Sequence, residues 1–136
     1  MLDTKGDTAV YLLYARVRFE SIMAKAEAQH GASVQDLVQQ CKDGKNVVTL
    51  EHSSERNLAL HLLMFADTME LTLQDLFPYH ICEYCYKLAI AGTDFVTQCK
   101  VLGSPEMNSR LLLCYATAYA MNQCFELLGI REVKRI

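Results

Sequence analysis

Helix breakers are scarce in this chain: 136 residues hold only two prolines and six glycines, and half of the residues are apolar. That scarcity excludes a disordered or low-complexity segment. A β-sheet is equally unsupported. The only β-branched run is Val47-Val48-Thr49-Leu50, and with no second strand to pair with it reads as an extended linker or a helix start. Also missing are a strand-loop-helix glycine fingerprint, a phosphate loop, a His-Glu-x-x-His pair and a nucleophile elbow. The carboxylates are spread along solvated faces, with no pair placed for acid–base work. His30, His52, His61 and His80 are scattered and read as surface or helix-end residues. No catalytic residue is assigned.

Basic charge is lacking too. A net charge of −3 argues against the whole domain acting as a DNA or RNA clamp, which is usually basic, and leaves room only for a local site. There is no charged-then-apolar signal segment at the start. The opening Met-Leu-Asp-Thr-Lys-Gly is a polar lead-in or a cut point inside a longer protein. The six cysteines (Cys41, Cys82, Cys85, Cys99, Cys114, Cys124) fall mostly at apolar helical positions. They read as reduced core thiols of a cytoplasmic protein. Cys82 and Cys85 form a C-x-x-C, but a zinc site needs a second ligand pair, and no metal is assigned.

What the chain does have is one long apolar helix. Between Leu111 and Phe125 no side chain is charged, although about one-fifth of the whole chain is. Met107, Leu111, Cys114, Ala118, Met121, Phe125 and Leu128 step by four and three along one helical face. The other faces are apolar as well, so this helix should be buried on most sides. Fifteen uncharged residues interrupted by Thr117, Asn122 and Gln123 are too few and too polar to span a bilayer, which takes about 20. Ser104 as N-cap, Pro105 at the first helical position and Gly129 past the end mark its limits.

Further helices are expected over Ala9–Gln29 (capped by Asp7 or Thr8, with Val10, Leu13, Val17, Ala24 and Ala28 inward), Ala32–Asp43, and from a Ser53 or Ser54 cap onward. The pattern breaks near Phe65-Ala66-Asp67, where Asp67 can cap a continuation to Phe77. A long helix then runs from Tyr79 to about Lys100, with Ile81, Cys85, Leu88 and Phe95 inward and Gly92 weakening its middle. The expected architecture is all-α: one domain over residues 1–136, a bundle of five to six helices around the buried C-terminal helix. On the first helix Tyr11, Tyr14, Arg18 and Lys25 share one stripe. Two aromatics followed by two cations can stack a base and hold a phosphate. Tyrosines that finish the core and cations that face solvent produce the same stripe.

Three stretches together resemble the C-terminal domain of arginyl-tRNA synthetases. Gly6-Asp7-Thr8-Ala9-Val10-Tyr11-Leu12-Leu13-Tyr14-Ala15-Arg16-Val17-Arg18 is similar to that family's entry helix. Cys82-Glu83-Tyr84-Cys85-Tyr86-Lys87-Leu88-Ala89, followed by Asp94-Phe95, is similar to its long-helix segment. Arg110-Leu111-Leu112-Leu113-Cys114 with Ala116-Thr117-Ala118, closing on Leu127-Leu128-Gly129-Ile130-Arg131-Glu132-Val133-Lys134-Arg135-Ile136, resembles its ending. Ser54-Glu55-Arg56-Asn57-Leu58-Ala59 fits as well, and the resemblance covers essentially the whole chain in order.

The resemblance implies an excised helical anticodon-binding domain of the DALR type from a class I synthetase. Its parent would join arginine to its tRNA at the expense of ATP. No cofactor is expected in this fragment; ATP belongs to the parent. Implied partners are the anticodon loop of an arginine tRNA and the catalytic domain of the same chain, with no membrane and no DNA. Carried over onto this sequence, the family's anticodon-loop contacts fall on Tyr11, Tyr14 and Arg18. Arg110, which matches the arginine at the start of the family's last helix as an RNA contact or an anchor of the fold, and the terminal Ile136 are grouped with them as tRNA-binding. Arg131, Lys134 and Arg135 contact phosphates nearby or form a solvated tail. Two positions depart from the family: Val96 stands where a tyrosine is usual, and Ile136 where methionine is. The equivalent domain of another class I synthetase, such as cysteinyl, and a helical protein-interaction module without RNA binding are the alternatives.

Overall fold

The computed structural model describes residues 5–45, 48–76 and 78–129, with side chains from residue 9 onward. Six helices follow one another: α1 (Lys5–His30), α2 (Val34–Lys42), α3 (Ser53–Leu63), α4 (Phe65–Asp75), α5 (Tyr79–Gln98) and α6 (Met107–Leu128). No strand occurs among the described residues. Residues 48–50 take no regular secondary structure, and Thr49 is pinned to α6: its N–H donates to Ser109 Oγ at 2.8 Å, and that hydroxyl donates back to the Thr49 carbonyl at 3.2 Å.

α6 is buried as its composition requires, but it shares the centre with α5. α6 packs against α1, α2, α3 and α5; α5 packs against α1, α3, α4 and α6. The buried side chains of α5 include Ile81, Cys85, Leu88 and Phe95, and those of α6 include Leu111, Cys114, Met121 and Phe125. Thr117, fully buried in α6, donates to the Leu113 carbonyl at 2.7 Å, so its hydroxyl carries no unpaired cost. Tyr84 of α5 donates to the His61 carbonyl at 2.6 Å, tying α5 to the end of α3. Tyr119 and Leu127 are exposed, so α6 is not apolar-buried all round.

Several local expectations are corrected. α1 is already helical at Lys5, ahead of the expected Asp7 or Thr8 cap. Its inward face is Leu12, Ala15, Arg16, Phe19 and Ala26, while Val10, Ala24 and Ala28 are exposed. The phase was misjudged because a buried arginine, Arg16, sits within the true core stripe. α3 is capped by His52, not by a serine: its Nδ1 accepts from the Ser54 N–H at 3.1 Å, and Glu55 Oε1 accepts from the His52 N–H at 2.9 Å. That is a capping box with histidine in the role usually held by serine or threonine. α4 starts after Met64 with no side-chain cap, leaving Asp67 inside its first turn. It closes on Leu76, a leucine in the left-handed region (φ 54°). Ser104 donates to the Val101 carbonyl at 2.9 Å, and Pro105 lies in the turn before α6, so neither starts that helix. Gly129 does end it, with φ 75°.

Gly92 is the largest revision. Beside its cost to the helix interior it has a packing role: a Cβ at this position would lie 2.5 Å from Cζ of Phe19, whose ring is fully buried. The missing side chain lets α1 cross α5 at close range. Gly92→Ala is expected to destabilise the domain by about 1–3 kcal/mol through overpacking, read as a lower urea midpoint. Phe19→Leu in the same chain should recover part of that loss, and an unchanged midpoint for Gly92→Ala would contradict the crossing geometry.

Candidate nucleic-acid interface

Burial of Leu12, Ala15 and Phe19 against the rest of the bundle turns the next stripe of α1 outward. Tyr11, Tyr14, Arg18 and Lys25 all line one groove of about 660 Å³, together with Ser21 and Thr93. Thr93 follows Gly92, so the close crossing of α1 and α5 is what brings it there. Tyr11 is half-buried and braced by Tyr86 of α5, with ring centroids 5.6 Å apart at 56°. Tyr14 is 59% exposed and offers its ring to solvent. Arg18 and Lys25 are exposed, and among the described residues no ion pair holds either. The groove therefore runs from a braced ring through a free ring to two available cations. Along the helix axis this covers about 21 Å at 1.5 Å per residue. Aromatic faces can stack unpaired bases and the cations can hold phosphates.

A second groove, about 440 Å³, lies between α1, α2 and α6. Glu20 and Glu27 line it and no cation does. Its carboxylates would repel a phosphate backbone, so the two sides of α1 differ in kind.

Of the two roles open to Arg110, RNA contact or fold anchor, its contacts in the structure match the second. Arg110 does not line the groove. Its Nη1 donates to the Lys100 carbonyl at 2.6 Å and its Nε lies 3.4 Å from Glu55 Oε2; Glu106 Oε2 is 3.9 Å away. Glu55 is 1% exposed and also completes the His52 cap, so Arg110 ties α6 to the start of α3 and to the loop after α5. Ile136 lies outside the described residues, as do Arg131, Lys134 and Arg135. Val96 is partly buried against the core and does not line the groove. The residues that sequence reasoning left out are Ser21 and Thr93. Ser21 was readable, lying seven after Tyr14 and four before Lys25 on the same stripe; Thr93 depends on a helix crossing that no local pattern encodes.

No group of three or more His, Cys, Asp or Glu side chains among the described residues is placed to hold a metal ion. The two C-x-x-C thiols differ in burial: Cys82 is half-buried, while Cys85 is buried in the core beside Cys124. The neighbouring Cys124 thiol and burial drive Cys85 far above the ordinary thiol range, and burial pushes Cys114 up to about 12. Both stay protonated near neutrality and are poor nucleophiles. Among the described residues, no helix is long and apolar enough to cross a membrane.

The class of domain is an all-α bundle of six helices with an aromatic and cationic groove on the first. The chain belongs to the DALR anticodon binding domain family, whose family model matches residues 12–136. It is 49% identical over 136 residues to the chloroplastic/mitochondrial arginine–tRNA ligase of Arabidopsis thaliana, covering 100% of this chain and 20% of that protein. The cytoplasmic arginine–tRNA ligase of the same plant is 48% identical, again over 100% of this chain and 22% of the relative. The solved arginyl-tRNA synthetase of Plasmodium falciparum superposes with a TM-score of 0.79 at 32% identity, over 99% of this chain and 22% of that one. The chain thus spans about one-fifth of the length of the curated relatives it matches.

Two outcomes test the geometry of this region. Arg110→Ala should cost roughly 2–4 kcal/mol, because it strands a carboxylate that is already out of water; a melting curve reads it, and a change below about 0.5 kcal/mol would remove Arg110 from the framework. On native alkylation followed by mass spectrometry, Cys82 should label well before Cys85 and Cys114, which should react only once the chain unfolds.

Proposed function

We propose that this chain reads the anticodon loop of an arginine tRNA, as the anticodon-binding part of an arginine–tRNA ligase that joins arginine to its tRNA with ATP. The observation that carries the reading is the groove of Tyr11, Tyr14, Arg18 and Lys25 on a domain of the DALR family. Arginine–tRNA ligases at 49% and 48% identity over the full length of this chain support the choice of arginine.

In this proposal Tyr14 stacks a loop base that has left the helical stack, and Tyr11, held by Tyr86, supports a second. The Arg18 guanidinium takes a phosphate or a base edge in its planar fork, and Lys25 adds a point charge farther along. No bond is made or broken here. The domain's contribution is orientation: holding the loop fixes where the acceptor end of the tRNA meets the catalytic part, and ATP and arginine bind in that part. Arg110 is left out of the RNA-contacting set on the strength of its contacts with Glu55 and Lys100. Ile136 stays in the set by family resemblance.

A site with two cations on an acidic domain binds weakly, and its log K should fall with log salt at a slope of about −1.4, roughly 0.7 for each phosphate held. Tyr14→Ala and Arg18→Gln should each weaken binding of an anticodon stem-loop RNA by about tenfold, in line with roughly 1–3 kcal/mol per stacked base. Neither should shift the melting temperature, since both side chains are exposed. Arg18→Gln should also flatten the slope of log K against log salt by about 0.7. Wild-type affinity in both variants, measured by fluorescence anisotropy, would sink the reading.

A further inference from the structure

α4 holds to the core only through the partly buried Phe65 and Met69, and none of its residues is fully buried in this domain. Yet it and the end of α3 are rich in large apolar side chains. Six of the thirteen exposed ones among the described residues fall within residues 60–76: Leu60, Leu63, Met64, Leu71, Leu73 and Leu76. Leu63, Leu73 and Leu76 are 76%, 75% and 82% exposed. Scattered leucines on a surface need no explanation, but such a concentration on one two-helix arm marks an interaction surface.

The charges around it identify the kind of partner. From Asn57 to Leu76 there is no lysine or arginine, while α4 carries Asp67, Glu70 and Asp75. On the adjoining α5, His80 lies 3.1 Å from Asp75, and Lys87, beside His61, is paired with Glu83 at 3.3 Å, which leaves Asp67 and Glu70 to set the sign of the surface. RNA and anionic membranes are repelled by such a rim. A second copy of the chain, meeting this arm with its own arm across a two-fold axis, would bring the same carboxylates together. What fits is a protein surface with an apolar centre and a lysine or arginine rim. The relatives supply a candidate, since about four-fifths of their length lies outside the segment this chain matches.

We propose that the α3–α4 arm is the seat of the remaining synthetase polypeptide, docking through Leu63, Leu73 and Leu76 inside a rim of basic side chains from that partner. This rests on the reading that the chain works within a longer ligase. The covered arm would hold the groove of α1 at a fixed distance from the catalytic part.

Hydrogen exchange of the 136-residue chain and of the complete polypeptide carrying it tests this without any substitution. Amides of α4 should exchange at least about tenfold more slowly in the complete polypeptide. A Leu63→Asp/Leu73→Asp double variant should keep the melting temperature of the 136-residue chain. In the complete polypeptide it should restore fast α4 exchange and lower kcat/KM for arginylation about tenfold. Equal α4 exchange in the two wild-type forms overturns the proposal. So does a dimer of the 136-residue chain that the double variant dissolves, because a second copy then covers the arm. If Tyr14→Ala leaves stem-loop binding intact while α4 is protected, the RNA reading fails and this inference stands; exposed α4 with impaired stem-loop binding gives the reverse.

Discussion

The approach of α1 to α5 at Phe19 and Gly92 is the constraint from which the candidate site follows. A closed ring sits where any β-carbon on the other helix would collide at 2.5 Å. Because the two backbones can come this close, the flanking residues of α5 reach the solvent side of α1. Thr93 enters the groove, and Tyr86, two turns earlier on α5, braces Tyr11. A larger residue at position 92 would push the helices apart and widen the groove along its whole length. One absent side chain thus sets the spacing of a surface built from both helices.

A second tie works at the opposite level of chemistry. Glu55 is out of water, yet one of its oxygens completes the His52 capping box and the other faces Arg110. A buried carboxylate is tolerable only when its lone pairs are taken, and here the partners come from α3 and α6, with Arg110 reaching on to the Lys100 carbonyl. The residues before α3 are held on the same side by the Thr49–Ser109 pair. These polar contacts fix where α3 begins relative to α6, something apolar packing between featureless leucine faces does not specify.

Helix existence and most helix ends were legible in the sequence, because they depend on periods of three and four and on breakers such as Gly31, Pro78 and Gly129. So was the alignment of Tyr11, Tyr14, Arg18 and Lys25, since residues on one helix are placed by spacing alone. The failures share a cause. The capping role of His52, the burial of Arg16 and the inter-helix tie of Arg110 depend on partners that come from the folded surroundings, and spacing along the chain does not reveal them. Gly92 was read as a helix weakness because its partner Phe19 is 73 positions away. Local chemistry is written in the order of the residues; the crossing of two helices is not.

The charge distribution then resolves what the net value of −3 obscured. Cations line one side of α1, where two aromatic rings accompany them; carboxylates line its other side at Glu20 and Glu27, and an acid-rimmed leucine surface occupies α4. Under the proposed reading, an RNA strand would be drawn along the first groove and repelled by the carboxylates of the second. Phosphates attract any basic patch regardless of sequence, so a small domain with cations everywhere would hold RNA in many registers. Lys42, Lys45, Arg56, Lys87 and Lys100 are exposed elsewhere, so what sets the groove apart is that Arg18 and Lys25 lie beside Tyr14, on the face where base stacking is also available. The acidity of the chain is therefore compatible with an RNA site and sharpens its orientation.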